Sequence, residues 1–480
     1  MLLATLLGSM LPAQAARPTE VQEAQVAAKA ANVLCTFART AESNKQPSRA
    51  HDAYRLVLAQ YDDQNKAARV GLGFRLVDGT WQAPTDPATP PADTATARQK
   101  STVETAWRSC TKQLGKLHRE LGFALWKSDE AAARRHLERG LRLDPDDARS
   151  HELLGHEEVN GFRGDAQQIA FVRRLLAIRQ QAATAREQEF EVRDLPASEM
   201  PKELQATGLP FAGARSQRFT YWVVESPEAA RAAVLWAERA FALLQFLFGD
   251  DSPGRLQPSL QWNCVVRTDA QRDTLLQSGA AMRGKLSAEE ARAFGGLVFD
   301  VRNGQASWSM YDVAHDADMA VGHATKRCCR RINPALSEGL VHAMTWLLCG
   351  TTRCRFGTIP KTYSGTFELP PSDPEKWLER LQDLIDTGEA WPLVQLPRER
   401  LDGFRDDVRL EVWSFVLWLL ARHPSDWQEL VLQLNKNDML PETAAAAFQT
   451  ALGRDVAEVE AEWHEWARRG SPIGKATRLR

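Results

Sequence analysis

The sequence predicts a mostly α protein with a smaller mixed α/β part. Helical-hairpin repeats come first, followed by an α+β domain with a helical C-terminal portion. Three observations predict this. Residues 20–80 carry Ala, Leu, Arg and Glu at helical spacing, and a related string returns from Leu137. Past the prolines at 196, 201 and 210, helical spacing gives way to strand-like alternation interrupted by a long helix. From Asp373 the pattern is helical again to the end.

The 480 residues allow two or three domains, and 44% hydrophobic content supplies a sizeable core. Sixty basic against 62 acidic residues leave a net charge of −2, so charge gives no case for nucleic acid as a partner. Leu2 to Leu11 form a short apolar run, and Ala13-Gln14-Ala15 reads as a cleavage site. Residues 1–15 are therefore expected to be a signal peptide, and the mature chain exported, periplasmic or extracellular. No Lys or Arg precedes the run, so the native start lies upstream or the signal lacks its basic region. The run is too short to span a bilayer, and no transmembrane segment is expected in the mature chain.

In the first part, Ala50, Ala53, Tyr54, Val57 and Leu58 make one apolar stripe. Residues 54–81 and the string from Leu137 share one order: helix, Asp-rich turn, helix, Leu-Gly, an Asp-Gly or Asn-Gly turn, and an aromatic. Residues 82–93 (QAPTDPATPPAD) read as a Pro-rich linker. His51, His118 and His136 are expected on the helix surfaces. The repeats are assigned to 20–190, a linker to 191–214 and a second domain to 215–470.

In the second part, residues 219–224 alternate like a strand. Ser226 caps a helix over 227–247 that ends at Gly249. Residues 260–266, 297–301 and 306–313 read as strands. Asn333 and Pro334 open another helix, with Leu336, Leu340, Ala343 and Leu347 as its core stripe and Gly350 as its stop. Cys328, Cys329, Cys349 and Cys354 read either as a zinc knuckle or as buried thiols, and the adjacent pair favours thiols. Lys326, Arg327, Arg330 and Arg331 read as a solvated helix end. No phosphate loop, G-x-S-x-G elbow or Cys/His nucleophile pattern stands out.

Residues 319–342, MAVGHATKRCCRRINPALSEGLVH, carry the most specific signal. Met319-Ala320-Val321-Gly322-His323 followed by Pro334-Ala335-Leu336-Ser337-Glu338-Gly339-Leu340 resembles the gluzincin (peptidase MA-like) pattern. In that pattern H-E-x-x-H on one helix is followed by W-L-x-E-G-L on the next. Residues 412–420 resemble the helix that follows the active site in that family. Leu452-Gly453-Arg454-Asp455 with Glu460, Glu462 and Trp463 resembles its closing L-G-x-D and E-x-E-W segment. The resemblance covers roughly residues 215–468. Separately, Asp144-Pro145-Asp146-Asp147-Ala148 resembles the inter-helix turn of tetratricopeptide repeats, over roughly 25–80 and 115–180.

The gluzincin resemblance implies a zinc site held by two His and a Glu, with a second Glu as general base. Here the vestigial site is Met319, Ala320, His323 and Glu338: Met319 stands at the first ligand and Ala320 at the base. A thioether is a weak zinc ligand. Loss of a general base costs roughly two to four orders of magnitude in rate. The domain is therefore predicted inactive as a peptidase, with no cofactor. The expected function is binding of a protein or peptide partner through the helical repeats. Glu338 is expected to hydrogen-bond His323 across the two helices, and Gly339 to let the second helix approach the first.

One alternative is a divergent zinc hydrolase with its metal rebuilt on His323, Glu338 and His342. Another register, His315-Asp316-Ala317-Asp318-Met319, also lacks a second His.

Overall fold

A computed structural model of the chain describes residues 18–84, 92–249, 261–278, 296–301, 304–311, 313–329, 332–350, 374–396, 406–423, 425–435 and 441–468. The expected signal peptide at 1–15, Cys354, Arg330, Arg331 and most of the Pro-rich linker lie outside these residues. The protein is mostly helical with a smaller sheet part. Among the described residues no helix is long and apolar enough to cross a membrane.

The chain forms two compact units, Met1–His156 with Asp386–Gly388, and Glu157–Ile385 with Glu389–Arg480. The division therefore falls after His156, not near 190. The reason is packing: Ala166–Glu187 inserts Phe171, Leu175 and Ile178 into the core of the second unit.

The N-terminal unit contains α1 (Pro18–Ser43), α2 (Pro47–Gln60), α3 (Lys66–Gly71), the strands β1 (Arg75–Val77) and β2 (Thr80–Gln82), α4 (Ala97–Leu125), α5 (Glu130–Leu143) and α6 (Ala148–Leu154). Helix α1 packs on α2 and on α4, and α4 packs on α5. The predicted stripe on α2 buries Ala50, Ala53, Tyr54 and Val57 against Leu34, Phe37 and Ala38 of α1. Asn65, Asp129 and Asp147 each accept a backbone N–H three residues on, which starts α3, α5 and α6.

The internal similarity ends in strands that helical spacing does not announce. β1 and β2 pair across Asp78-Gly79. β3 (Glu157–Val159) and β4 (Phe162–Gly164), at the start of the second unit, pair across Asn160-Gly161. In both turns the two central residues have positive φ, +49° and +79° in the first and +50° and +78° in the second. That is the twist a two-residue hairpin needs, and Asn-Gly and Asp-Gly supply it at least steric cost.

His118 is not at the surface. It is 2% exposed between α4 and α5, in a chain of polar contacts. Tyr61 Oη lies 3.2 Å from His118 Nε2, His118 Nδ1 lies 3.0 Å from His136 Nδ1, and His136 Nε2 lies 3.2 Å from Glu23 Oε1. With both rings neutral every contact is satisfied: Tyr61 donates to His118, His118 to His136, and His136 to Glu23.

In the second unit, α7 is Ala166–Glu187, and β5 (Arg193–Leu195), α8 (Lys202–Gln205), β6 (Phe211–Arg215) and β7 (Thr220–Val224) follow it. Next come α9 (Pro227–Phe248), β8 (Trp262–Val266), α10 (Asp269–Gln277), β9 (Gly296–Val301) and β10 (Gly304–Met310). The six strands form one sheet in the order β5-β6-β7-β8-β10-β9, with β7, β8 and β10 parallel and the other pairs antiparallel. Side chains alternate between its faces. Trp222, Val224, Cys264, Val266 and Trp308 fill one apolar layer, while Tyr221, Val223 and Val265 face the helical core.

The C-terminal helices are α11 (Asp316–Cys328), α12 (Pro334–Cys349), α13 (Pro374–Thr387), α14 (Asp406–Arg422), α15 (Trp427–Leu434), α16 (Pro441–Leu452) and α17 (Val456–Arg468). Helix α9 starts as predicted, with Ser226 Oγ accepting from Ala229 N–H and Pro227 in the first turn, and it packs on α11. Buried Glu238 of α9 accepts from Ser216 Oγ at 2.7 Å and from Arg218 Nη1 at 3.0 Å, which ties the β6–β7 turn to the helix. Helix α12 packs between α11 and α14. All residues of α12 from Ala335 to Leu348 are buried, as are residues 408–420 of α14. A helix covered on every side belongs at the centre of a core.

Candidate functional site

Helix α11 carries the first half of the sequence motif against the sheet, and α12 carries the second half between α11 and α14. Local chemistry fixes both ends of α12: Asn333 Oδ1 accepts from Ala335 N–H at 2.9 Å, and Gly350 closes it at φ +71°. Lys326 and Arg327 lie in the last turn of α11, where cations offset the helix dipole.

Met319 is half-buried and packs against the main core, and Ala320 is wholly buried. His323, one turn on, is buried beside Ser309 of β10, whose Oγ lies 3.1 Å from Nδ1 and 3.0 Å from Nε2. Near-equal distances to both ring nitrogens put the hydroxyl over the ring rather than along either lone pair. That is not the alignment of a nucleophile with its base. Ser309 belongs to a buried polar seam in which Ser307 and Ser309 both reach Asn263 Oδ1 of β8. Burial first, and then Arg327 and Lys326, push the His323 pKa down to about 3, so the ring is neutral at physiological pH.

The expected His323–Glu338 hydrogen bond is not formed: neither carboxylate oxygen of buried Glu338 has a hydrogen-bond partner among the described residues. Its Oε1 lies 3.5 Å from His342 Nε2 one turn along α12 and 3.4 Å from Arg409 Nε of α14. Both distances exceed the 2.7–2.9 Å usual for charge-assisted hydrogen bonds, so these are close polar contacts rather than aligned bonds. Glu338 is 1% exposed and Arg409 is 3% exposed. Burial pushes the Glu338 carboxyl up. His342 and Arg409, with Lys326, outweigh burial and hold it below the ordinary carboxylate value. The His342 ring meets Trp377 edge-on at 5.8 Å, and Trp377 meets Trp413 at 5.1 Å, which walls the pair off from water.

Gly339 also points elsewhere than expected. A Cβ there would meet Val412 and Val416 of α14, with Val416 Cγ2 at 2.7 Å, so the close approach is to α14 and not to α11.

The second register gives no site either. Asp316 pairs with Arg267, and Asp318 hydrogen-bonds the Cys349 thiol, whose pKa is raised by burial first and then by that carboxylate. The six described cysteines carry free thiols. Among the described residues no three His, Cys, Asp or Glu side chains lie together so as to hold a metal ion, His323, Glu338 and His342 included.

Sequence reasoning missed two participants. Ser309 sits in the alternation Ser307-Trp308-Ser309, which puts small polar groups on one face of a strand and an indole on the other. Arg409 had a clearer signal: it and Glu411 are the two charges in the buried run 408–420. Glu411 is wholly buried and receives the Trp391 N–H at 3.2 Å. Compared with protein-family models, with curated proteins and with solved structures, the chain matches none.

Proposed function

We propose that this is an exported, non-catalytic protein. Its C-terminal unit is the frame of a gluzincin-like peptidase that has lost its chemistry, and its N-terminal helical repeats bind a peptide or protein partner. The observation that carries the reading is the Arg409 guanidinium beside Glu338, in a core where Ala320 offers no base and Met319 no strong ligand. The carboxylate that would bind zinc is neutralised by a side chain, and the nearby imidazole of His323 rests on a serine. Binding through the first unit is supported by Val70 of α3 and Leu76 and Val77 of β1, which are 57%, 55% and 40% exposed. Their apolar surface is open to solvent and available to a partner.

A peptidase assay tests the reading. Full-length protein incubated with unstructured polypeptide is expected to leave it intact with or without added zinc, and His323→Ala is expected to change nothing. Zinc-dependent cleavage abolished by His323→Ala would establish the divergent zinc hydrolase instead.

A further inference from the structure

We infer that Arg409 is the resident cation of the buried Glu338–His342 pair, and that its guanidinium keeps the native chain closed to metal. The inference rests on reading residues 319–342 as a decayed zinc site, and it adds the residue that took over the metal's charge. The zinc-binding residues that the resemblance implies do not fit the ion here, and the geometry gives the reason.

Two ligand atoms of a tetrahedral zinc, each about 2.0–2.1 Å from the metal, lie roughly 3.3–3.4 Å apart. Glu338 Oε1 and His342 Nε2 are 3.5 Å apart, close to that spacing. The same oxygen, however, has Arg409 Nε at 3.4 Å. A guanidinium is always charged, and Arg409 is only 3% exposed, so its charge sits in the core beside Glu338. A divalent ion entering here would lie beside a fixed positive charge in a water-poor core, where Coulomb repulsion is weakly screened. The guanidinium of Arg409 already stands against the single carboxylate of Glu338. The third candidate ligand, His323, is engaged with Ser309.

The arrangement has a structural logic. Removing one partner of a buried ion pair strands the other charge, whereas removing both is tolerated far better. Side-chain compensation also frees the fold from any metal supply. Arg409 is thus a positioning residue that holds α12 to α14 through Glu338.

The test is a double-mutant cycle on the full chain, read by thermal unfolding and by zinc uptake in equilibrium dialysis. Arg409→Met is expected to lower the melting temperature by roughly 5 °C. Adding Glu338→Gln to it is expected to recover most of that loss. With only Glu338 and His342 as protein ligands, Arg409→Met should take up zinc weakly, above the wild-type level at the same zinc concentration, and the double variant should return to the wild-type level. If Arg409→Met does not fold, the double variant and Arg409→Lys carry the test: both must fold, and neither must take up extra zinc.

Additive losses in the cycle, or no zinc gained by a folded Arg409→Met, overturn this inference and leave the non-catalytic reading standing. Zinc bound by the wild type and lost on Glu338→Gln overturns both.

Discussion

Gly339→Ala is expected to destabilise the C-terminal unit by about 3 kcal/mol, the upper end of the usual cost of overpacking a core. The added methyl would press on the backbone of Val412 and the Cγ2 of Val416. Backbone cannot rotate aside as a flexible side chain can. Helix α14 is buried along 408–420, so it has no free direction in which to retreat. The strain therefore separates α12 from α14, and it does so one residue from Glu338, lengthening the contact with Arg409. Urea unfolding of the variant against wild type checks this. An unchanged midpoint would show that α12 and α14 are not held at the separation described.

The second large effect is on acid stability of the N-terminal unit. Burial first, and then Arg139, His136 and Arg142, push the His118 pKa down to about 2, against an ordinary 6.5. The sign follows from proton counts. Below pH 6.5 the unfolded chain binds a proton at this ring that the folded unit does not, so acidification favours unfolding. The stabilising difference is fully present above pH 6.5. It is lost at about 1.4 kcal/mol per pH unit as pH falls from 6.5 toward 2. By pH 4.5 His118 alone should have removed roughly 3 kcal/mol. His136, also lowered by burial, acts in the same direction.

Urea unfolding between pH 7.5 and 4.5, compared with His118→Leu, isolates this contribution from that of the carboxylates. The variant should show the shallower pH dependence. Equal slopes would mean that the folded unit protonates His118 freely.

These two cases show which parts of the molecule can be read from local order. The strands near 219–224, 260–266 and 297–301 and the helix from Pro227 appear within a residue or two of where alternation and caps put them. In those segments the burial period, the N-cap and the stopping glycine are encoded within a few residues of one another. The α12 stripe and its Asn333 cap are legible for the same reason.

The hairpins β1–β2 and β3–β4 are only three residues per strand, too short for a period of two to register, although their turn dipeptides are plain. Partner choice is not local at all. Glu338 could be expected to reach His323 because both belong to one motif. Its cation instead comes from a helix far along the chain, and only the unexplained charges at 409 and 411 hinted at it. His118 is expected at the surface only because it is a polar residue on a repeat helix. Its burial depends on α5 and on Tyr61 after α2, which no window around position 118 contains. The boundary after His156 likewise depends on where α7 packs, not on where the prolines fall.

The central claim is that a side chain, and not a metal, answers the charge of Glu338. The most direct measurement is anomalous diffraction at the zinc absorption edge from crystals of the full-length protein grown with zinc. The account predicts Arg409 against Glu338 and no anomalous peak within bonding distance of that carboxylate. A peak bonded to Glu338 and His342, with the guanidinium displaced, would contradict it.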